Sequence, residues 1–199
     1  MKPEPKKPDM RKVIMLMHVS LDGYVAGPNG EMDWIVYNAA VEHDAHSLHA
    51  TTDAAIYGRV TYQMMENYWP TVLDDPASTP AARNHARWAN AATKYVITRT
   101  LDQPHWQNTV LIKDDVAAEF ARLKQQPGKD MWLLGSPSIV QLFMRHGLID
   151  EYRLNINPIV LGSGKPLFGG LEDRLPLTLV ETKSFEGGVV GLRYVPAGS

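Results

Sequence analysis

Val13-Ile14-Met15-Leu16-Met17-His18-Val19 is a nearly continuous apolar run. A strand with one wet face alternates apolar and polar residues. A run without that alternation marks a strand buried on both faces, at the centre of a helix-covered and mostly parallel sheet.

Working outward, Pro28-Asn29-Gly30 predicts a tight turn, since Asn-Gly tolerates positive φ. From Tyr37 to about Thr51 the pattern is helical, with Tyr37, Val41 and Leu48 near one stripe. Asp53 to Tyr57 reads as a second strand ended by Gly58, and Arg59 to Asn67 as a helix with Val60, Met64 and Asn67 at helical spacing. Pro70 to Pro80, with three prolines, reads as a surface loop before a helix over 81–92. Lys94–Thr98 and Thr109–Ile112 are strands. Val116, Phe120 and Leu123 define a helix closed by Pro127-Gly128. Met131–Leu134 is a strand that runs through Gly135-Ser136-Pro137 into a helix ending near His146. Tyr152 to Leu161 is extended, and Pro158 inside it predicts an edge or bulged position. Leu177–Phe185 and Val189–Val195 form a hairpin around Glu186-Gly187-Gly188. Strand–helix alternation followed by terminal antiparallel strands predicts a three-layer α/β fold. Its central sheet is mostly parallel, its C-terminal strands are antiparallel, and helices lie on both faces. Residues 11–196 read as a single domain. Residues 1–10, polar and rich in proline, read as a disordered tail.

Bulk properties exclude several classes. Of 199 residues, 44% are hydrophobic and 21% charged, and the formal net charge is -2. A protein that grips nucleic acid by charge carries a basic excess, which is absent here. No apolar run approaches the roughly 18 residues a membrane helix requires. There is no cysteine, so disulfides, thiolate metal sites and thiol nucleophiles are excluded together. These features predict a cytoplasmic protein that binds neither nucleic acid nor membrane. His43, His46 and His49 recur every three residues on the predicted helix. They read as solvated positions rather than a metal site, and no metal is expected.

In open α/β sheets, ligands collect where strand ends lead into helices, because helix N-termini offer unpaired N–H groups and partial positive charge. Three strand ends carry suitable residues. In Gly58-Arg59-Val60-Thr61 the glycine permits close approach, the arginine offers a forked donor and the threonine a hydroxyl. The alternative is a glycine turn beside a solvated arginine. In Leu134-Gly135-Ser136-Pro137, followed by Ser138 and Ile139, Ser136 is a good N-cap and Pro137 suits the first helical position. The alternative is an ordinary capped helix. Thr98-Arg99-Thr100 sets a cation between hydroxyls, which suits a ribose 2′-phosphate or marks a surface arginine.

The order of these pieces resembles the dihydrofolate-reductase-like superfamily. The match is to the branch holding the reductase domain of riboflavin-biosynthesis proteins, the RibD C-terminal domain. The residues that carry it run from about Val13 to Val195. They are Ser20-Leu21-Asp22-Gly23-Tyr24-Val25-Ala26-Gly27, Gly58-Arg59-Val60-Thr61-Tyr62, Tyr95-Val96-Ile97-Thr98-Arg99, Leu133-Leu134-Gly135-Ser136, and Leu148-Ile149-Asp150-Glu151 leading to Pro158 through Phe168. The resemblance implies an NADP site. Ala26 and Gly27 would line the nicotinamide side, Arg59 and Thr61 the phosphates, Thr98 and Arg99 the 2′-phosphate, and Gly135 with Ser136 the pyrophosphate. Gly58, Val60, Leu134 and Ile139 would flank them.

Two departures shape the functional expectation. Dihydrofolate reductases carry a pterin-anchoring acid about a turn and a half after a tryptophan. Counting from Trp34, this chain has Ala39 and Ala40, and its first acid is Glu42. Where the family shows successive glycines, this chain reads Gly135-Ser136-Pro137. The expectation is an NADPH-dependent reductase of a small pterin- or pyrimidine-like heterocycle, inefficient on dihydrofolate. Asp33, Glu42 and Tyr37 are its catalytic candidates, although Asp33 equally suits a helix cap. An alternative is the 5-amino-6-(5-phosphoribosylamino)uracil reductase of riboflavin biosynthesis, with Lys165 as the cation for a phosphorylated substrate. Another is a nucleotide-binding protein without turnover. A homodimer is expected through the terminal hairpin, unless the loop from Leu167 to Leu175 covers that edge.

Overall fold

A computed structural model describes residues 10–198; residues 1–9 of the expected tail lie outside the described residues. The strands are β1 Val13–Ser20, β2 Tyr24–Ala26, β3 Thr52–Gly58, β4 Thr93–Ile97, β5 Thr109–Ile112, β6 Asp130–Leu134, β7 Glu151–Asn157, β8 Lys165–Pro166, β9 Leu177–Ser184 and β10 Val190–Pro196. The helices are α1 Ala39–His46, α2 Arg59–Val72, α3 Pro80–Ala91, α4 Val116–Lys124 and α5 Pro137–Arg145.

One sheet of eight strands has the order β5-β4-β3-β6-β1-β7-β10-β9. The first six run parallel. β10 is antiparallel to β7, and β9 antiparallel to β10. β1 sits between β6 and β7, which explains its unbroken apolar reading. Met15, Met17 and Val19 face a core completed by Phe120 of α4 and Val140 and Phe143 of α5. Ile14 and Leu16 face Ala45 of α1, Leu48 and Trp132. On the same face as Ile14 and Leu16, Tyr57, Tyr62, Ala89, Val96 and Trp106 pack further along the sheet beneath α2 and α3. No helix of the described residues is long and apolar enough to cross a membrane.

The structure corrects several local expectations. Tyr37 precedes α1 rather than joining it, because the Asn38 side chain accepts from Ala40 N and Val41 N and starts the helix there. Asp33 therefore caps nothing; it is exposed in a turn. Leu48 lies in a 3₁₀ turn, Ser47–Ala50, that follows α1. α2 runs on through Pro70 to Val72. A proline in a last turn forfeits one ladder bond without stopping the helix. The buried stripe of α2 is Tyr62 and Val72, with Met65 and Trp69 packed beside them, whereas Val60 and Met64 are exposed. β7 is an internal strand that stops before Pro158, so the proline terminates it and marks no edge. The short β2–β8 pairing was not foreseen, since a two-residue strand carries no periodicity.

Candidate active site

β3 and β6 are sheet neighbours, so the turns that leave them meet. Gly58 N donates to Ser136 Oγ at 2.9 Å, and the Ser136 and Thr61 hydroxyls lie 2.7 Å apart. A Cβ on Gly58 would stand 2.7 Å from Ser136 Oγ and 3.0 Å from Ile139 Cγ1, so only glycine admits this approach. Gly135 has φ +64°, and a Cβ there would meet Thr61 Cγ2 at 3.0 Å. Ser136 itself has φ 57°. Such a conformation costs a non-glycine residue roughly 1–2 kcal/mol and is typical of functional turns.

Ser136 occupies the expected cap position, but its side chain makes no capping bond to α5 and turns to Gly58 and Thr61 instead. The consequence shows in a comparison of helix starts. Asn38, Thr79 and Asp115 cap α1, α3 and α4 with their side chains. α2 and α5 have no side-chain cap and no acid in the first turn. Uncapped first turns leave N–H donors and a partial positive charge pointing outward, and here two such turns are adjacent.

Beside them lies a cavity of about 570 Å³ at the ends of β3, β4 and β5, lined in part by Arg59, Thr98, Arg99, Thr100, Lys113 and His146. Arg59 and Arg99 are exposed, and Thr98 is buried. Thr98 Oγ1 accepts from Thr100 N and Leu101 N, which folds the chain so that Arg99 sits at the rim. The structure thus gathers Gly58, Thr61, Gly135, Ser136 and Ile139 in one cluster and Arg59, Thr98 and Arg99 around one cavity. Val60 is exposed on α2, and Leu134 is half-buried at the end of β6. Ala26 and Gly27 stand apart on the β2–β8 ribbon, where Ala26 pairs with Lys165. A Cβ on Gly27 would stand 2.3 Å from a Glu31 carboxylate oxygen, the mobile end of an exposed side chain, so the Glu31 side chain folds closely over this glycine.

On the other side of β1, His18 pairs in register with Asn155 of β7. His18 Nδ1 and Asn155 Nδ2 are both buried without a hydrogen-bond partner. The His18 ring centroid is 5.9 Å from that of Tyr37. Burial lowers His18 to about 4, so its imidazole is neutral at pH 7. Tyr37 as a whole is exposed, and the partial loss of solvent around its phenol, followed by the Glu42 charge, raises its pKa. Glu42 and Tyr37 thus share one locality with His18, while Asp33 has no hydrogen bond joining it to them. Sequence reading missed His18 and Asn155 because both lie inside strands, where they read as core. Asp22, within the Ser20–Gly27 stretch, carries no chemical signal in the sequence but has a structural part. Its carboxylate accepts from Ser20 Oγ, Leu161 N and Gly162 N, tying the turn after β1 to the loop before β8.

Comparison with known proteins identifies the fold and the family. The "Uncharacterized protein YyaP" of Bacillus subtilis (strain 168) is 35% identical over 184 residues, covering 92% of this chain and 94% of the relative. A crystal structure of a Shewanella sp. PV-4 protein, provisionally named for riboflavin biosynthesis, superposes with a TM-score of 0.73 at 24% identity, covering 93% of this chain and 98% of that one. The dihydrofolate reductase of Enterococcus faecalis, solved with NADP(H), superposes with a TM-score of 0.60 at 14% identity over 94% of this chain and 96% of that one. These likenesses show a dihydrofolate-reductase-like fold. The model of the RibD C-terminal domain matches residues 11–191, and the chain belongs to that family.

Proposed function

We propose that this protein is an NADPH-dependent reductase acting on a small pterin- or pyrimidine-like heterocycle. The observation that carries the reading is the pair of adjacent, uncapped helix N-termini of α2 and α5 beside a cavity rimmed by Arg59 and Arg99. Two anionic groups close together, a pyrophosphate, fit paired N-termini; a third, a ribose 2′-phosphate, fits the arginine rim. The residues present therefore suit NADPH, as in the Enterococcus faecalis relative solved with NADP(H). Gly58 and Gly135 let the backbone approach the pyrophosphate, Thr61 and Ser136 offer hydroxyls, and Arg99 with Thr98 serves the 2′-phosphate. Ala26 and Gly27 belong to the nicotinamide side.

Bound NADPH supplies the hydride. The chain's part is to hold a ring against it. His18 Nδ1 and Asn155 Nδ2 lack partners, and a heterocycle bearing ring nitrogens and amino or carbonyl groups supplies them. A neutral His18 orients the ring by hydrogen bonding and is a poor proton donor at pH 7. Tyr37 stays protonated and donates, and Glu42 is the nearest acid on α1. Ala39 and Ala40 offer no carboxylate, so dihydrofolate is a poor substrate. Lys165 stands beside Ala26 and has its Nζ 3.4 Å from where a Gly30 Cβ would be. That cation favours a phosphorylated aminopyrimidine as the second reading of the substrate.

The test is cofactor preference. Arg99→Ala should weaken NADPH roughly 10- to 100-fold by calorimetry, the equivalent of one charged hydrogen bond, and leave NADH nearly unchanged. Equal losses for both cofactors would overturn the assignment.

A further inference from the structure

A second constellation lies between α1 and α3, against the central strands β1 and β6. His46 ends α1, His49 belongs to the 3₁₀ turn that follows, and His85 comes from the middle of α3. One ligand nitrogen of each lies within 4.8 Å of the others. His49 Nε2 and His85 Nδ1 are 2.9 Å apart. The His46 ring stacks on both, with centroids 4.6 Å from His49 and 5.1 Å from His85. His85 is only 6% exposed, while His46 and His49 are half-buried and reachable from solvent. His43, the remaining member of the sequence row, is exposed and outside the cluster.

We propose that His46, His49 and His85 form a binding site for a first-row divalent transition metal of the Zn²⁺ type, with its fourth position open to water. Three imidazoles at the vertices of a tetrahedron around Zn²⁺, each about 2.0–2.1 Å from the ion, stand roughly 3.3–3.4 Å apart. One pair here is already slightly closer than that, and the third nitrogen needs to close by little more than an ångström. Burial lowers all three, His49 to about 4 and His85 to about 3; the neighbouring His46 adds to the effect at His49, and His49 with His46 at His85, as expected of rings this close together. One nitrogen of the His49–His85 pair carries the shared hydrogen. On coordination that ring takes its other neutral tautomer, and no net proton is lost. Nitrogen donors without carboxylates select Zn²⁺, Co²⁺, Ni²⁺ or Cu²⁺ over Mg²⁺ or Ca²⁺. The Glu42 carboxylate, one turn before His46 and close enough to raise its pKa, adds negative charge on the approach. This reverses the expectation of no metal, which rested on a single helical row and could not see His85 arrive from another helix. The site is distinct from the cavity at Arg59 and Arg99 and would brace α1 against α3.

The experiment uses the full chain purified without a histidine tag. Zn²⁺ titrated by calorimetry should bind at one equivalent, and about 100-fold excess over Kd should raise Tm by roughly 5–10 °C. Co²⁺ should give the intense visible absorption of a tetrahedral site. It should also quench tryptophan fluorescence, since Trp88 and Trp132 lie 5.1 and 6.0 Å from the His49 ring. His46→Gln, at a half-exposed position, should weaken binding at least about tenfold, whereas His43→Gln should leave it unchanged. No binding by the wild type, an octahedral Co²⁺ spectrum, or equal losses in the two variants would overturn the proposal. None of these readouts involves reductase activity, so the site stands or falls apart from the proposed function.

Discussion

At Gly58 one absent methyl group decides whether two helices can meet. The Ser136 hydroxyl accepts from Gly58 N and contacts Thr61, which holds Ser136 in its left-handed conformation and leaves α5 uncapped. Gly58→Ala sets a Cβ 2.7 Å from that oxygen and 3.0 Å from Ile139 Cγ1. Ile139 belongs to the main core, so relief must come from the serine. Overpacking of this kind costs roughly 1–3 kcal/mol. Gly58→Ala should therefore lower stability in urea by that amount and weaken NADPH and NADH alike, because it disturbs the turn proposed for the pyrophosphate that both share. Wild-type stability with intact cofactor binding would show that Ser136 swings aside freely. At this scale the sequence was partly legible. Glycine, serine and threonine at strand ends are readable as a phosphate-suited turn, yet nothing local says that Ser136 bonds across to β3 rather than capping its own helix. That choice depends on β3 and β6 being neighbours, a fact of sheet order.

At the scale of elements, periodicity located most strands and helices but misjudged faces and ends. α2 shows why. Its sequence holds apolar side chains all round, so the Val60–Met64 stripe looked as good as the Tyr62–Met65–Trp69 stripe until the sheet chose between them. The buried stripe carries a polar tether as well. Glu66 accepts from Tyr62 Oη at 2.6 Å, His105 N at 2.6 Å and Trp106 N at 2.9 Å, tying α2 to the segment before β5. Burial raises the Glu66 pKa, but these donors together outweigh it and hold the carboxyl below its ordinary value. A carboxyl whose folded pKa is depressed contributes stability that is full above its unfolded pKa, about 4.3, and is lost as pH falls through the folded value. Glu66→Gln should then be less stable than wild type by about 1–2 kcal/mol at pH 7. The gap should narrow below pH ~4 as the wild-type carboxyl protonates. Urea melts at pH 7 and pH 3 measure it, and an unchanged gap would mean that the carboxylate's charge plays no part.

For the molecule as a whole, the two ends of the sheet differ. β5 ends one side beside the cavity rimmed by Arg59 and Arg99, and β9 ends the other with nearly every residue exposed. Leu179 is 49% exposed and Val180 48%, and both backbone edge and side chains face water. Pro158 lies after the internal strand β7 and marks no edge, so on this flank β9 alone is the edge that a second copy could cover. The intramolecular alternative also fails: Leu167 is buried and Leu175 packs against the main core, yet the loop between them leaves β9 uncovered. Two ion pairs, Lys183 with Asp44 and Arg193 with Glu151, lie along this flank, so it is apolar in patches with charged surroundings, as interfaces commonly are. A long, partly apolar edge is a liability that proteins cover, and the simplest cover is the same surface of a second copy about a twofold axis. Light scattering at micromolar concentration should accordingly give twice the chain mass of 22.2 kDa. Leu179→Asp, which sets a charge on the strand without touching the core, should shift the mass to the single chain while the far-ultraviolet spectrum stays the same. A wild-type mass of 22.2 kDa would show that β9 is tolerated bare. A dimer that survives Leu179→Asp would move the interface elsewhere. The cavity proposed for NADPH lies at the opposite end of the strand order, so the Leu179→Asp monomer should still bind NADPH with wild-type affinity, which separates assembly from the site in one variant.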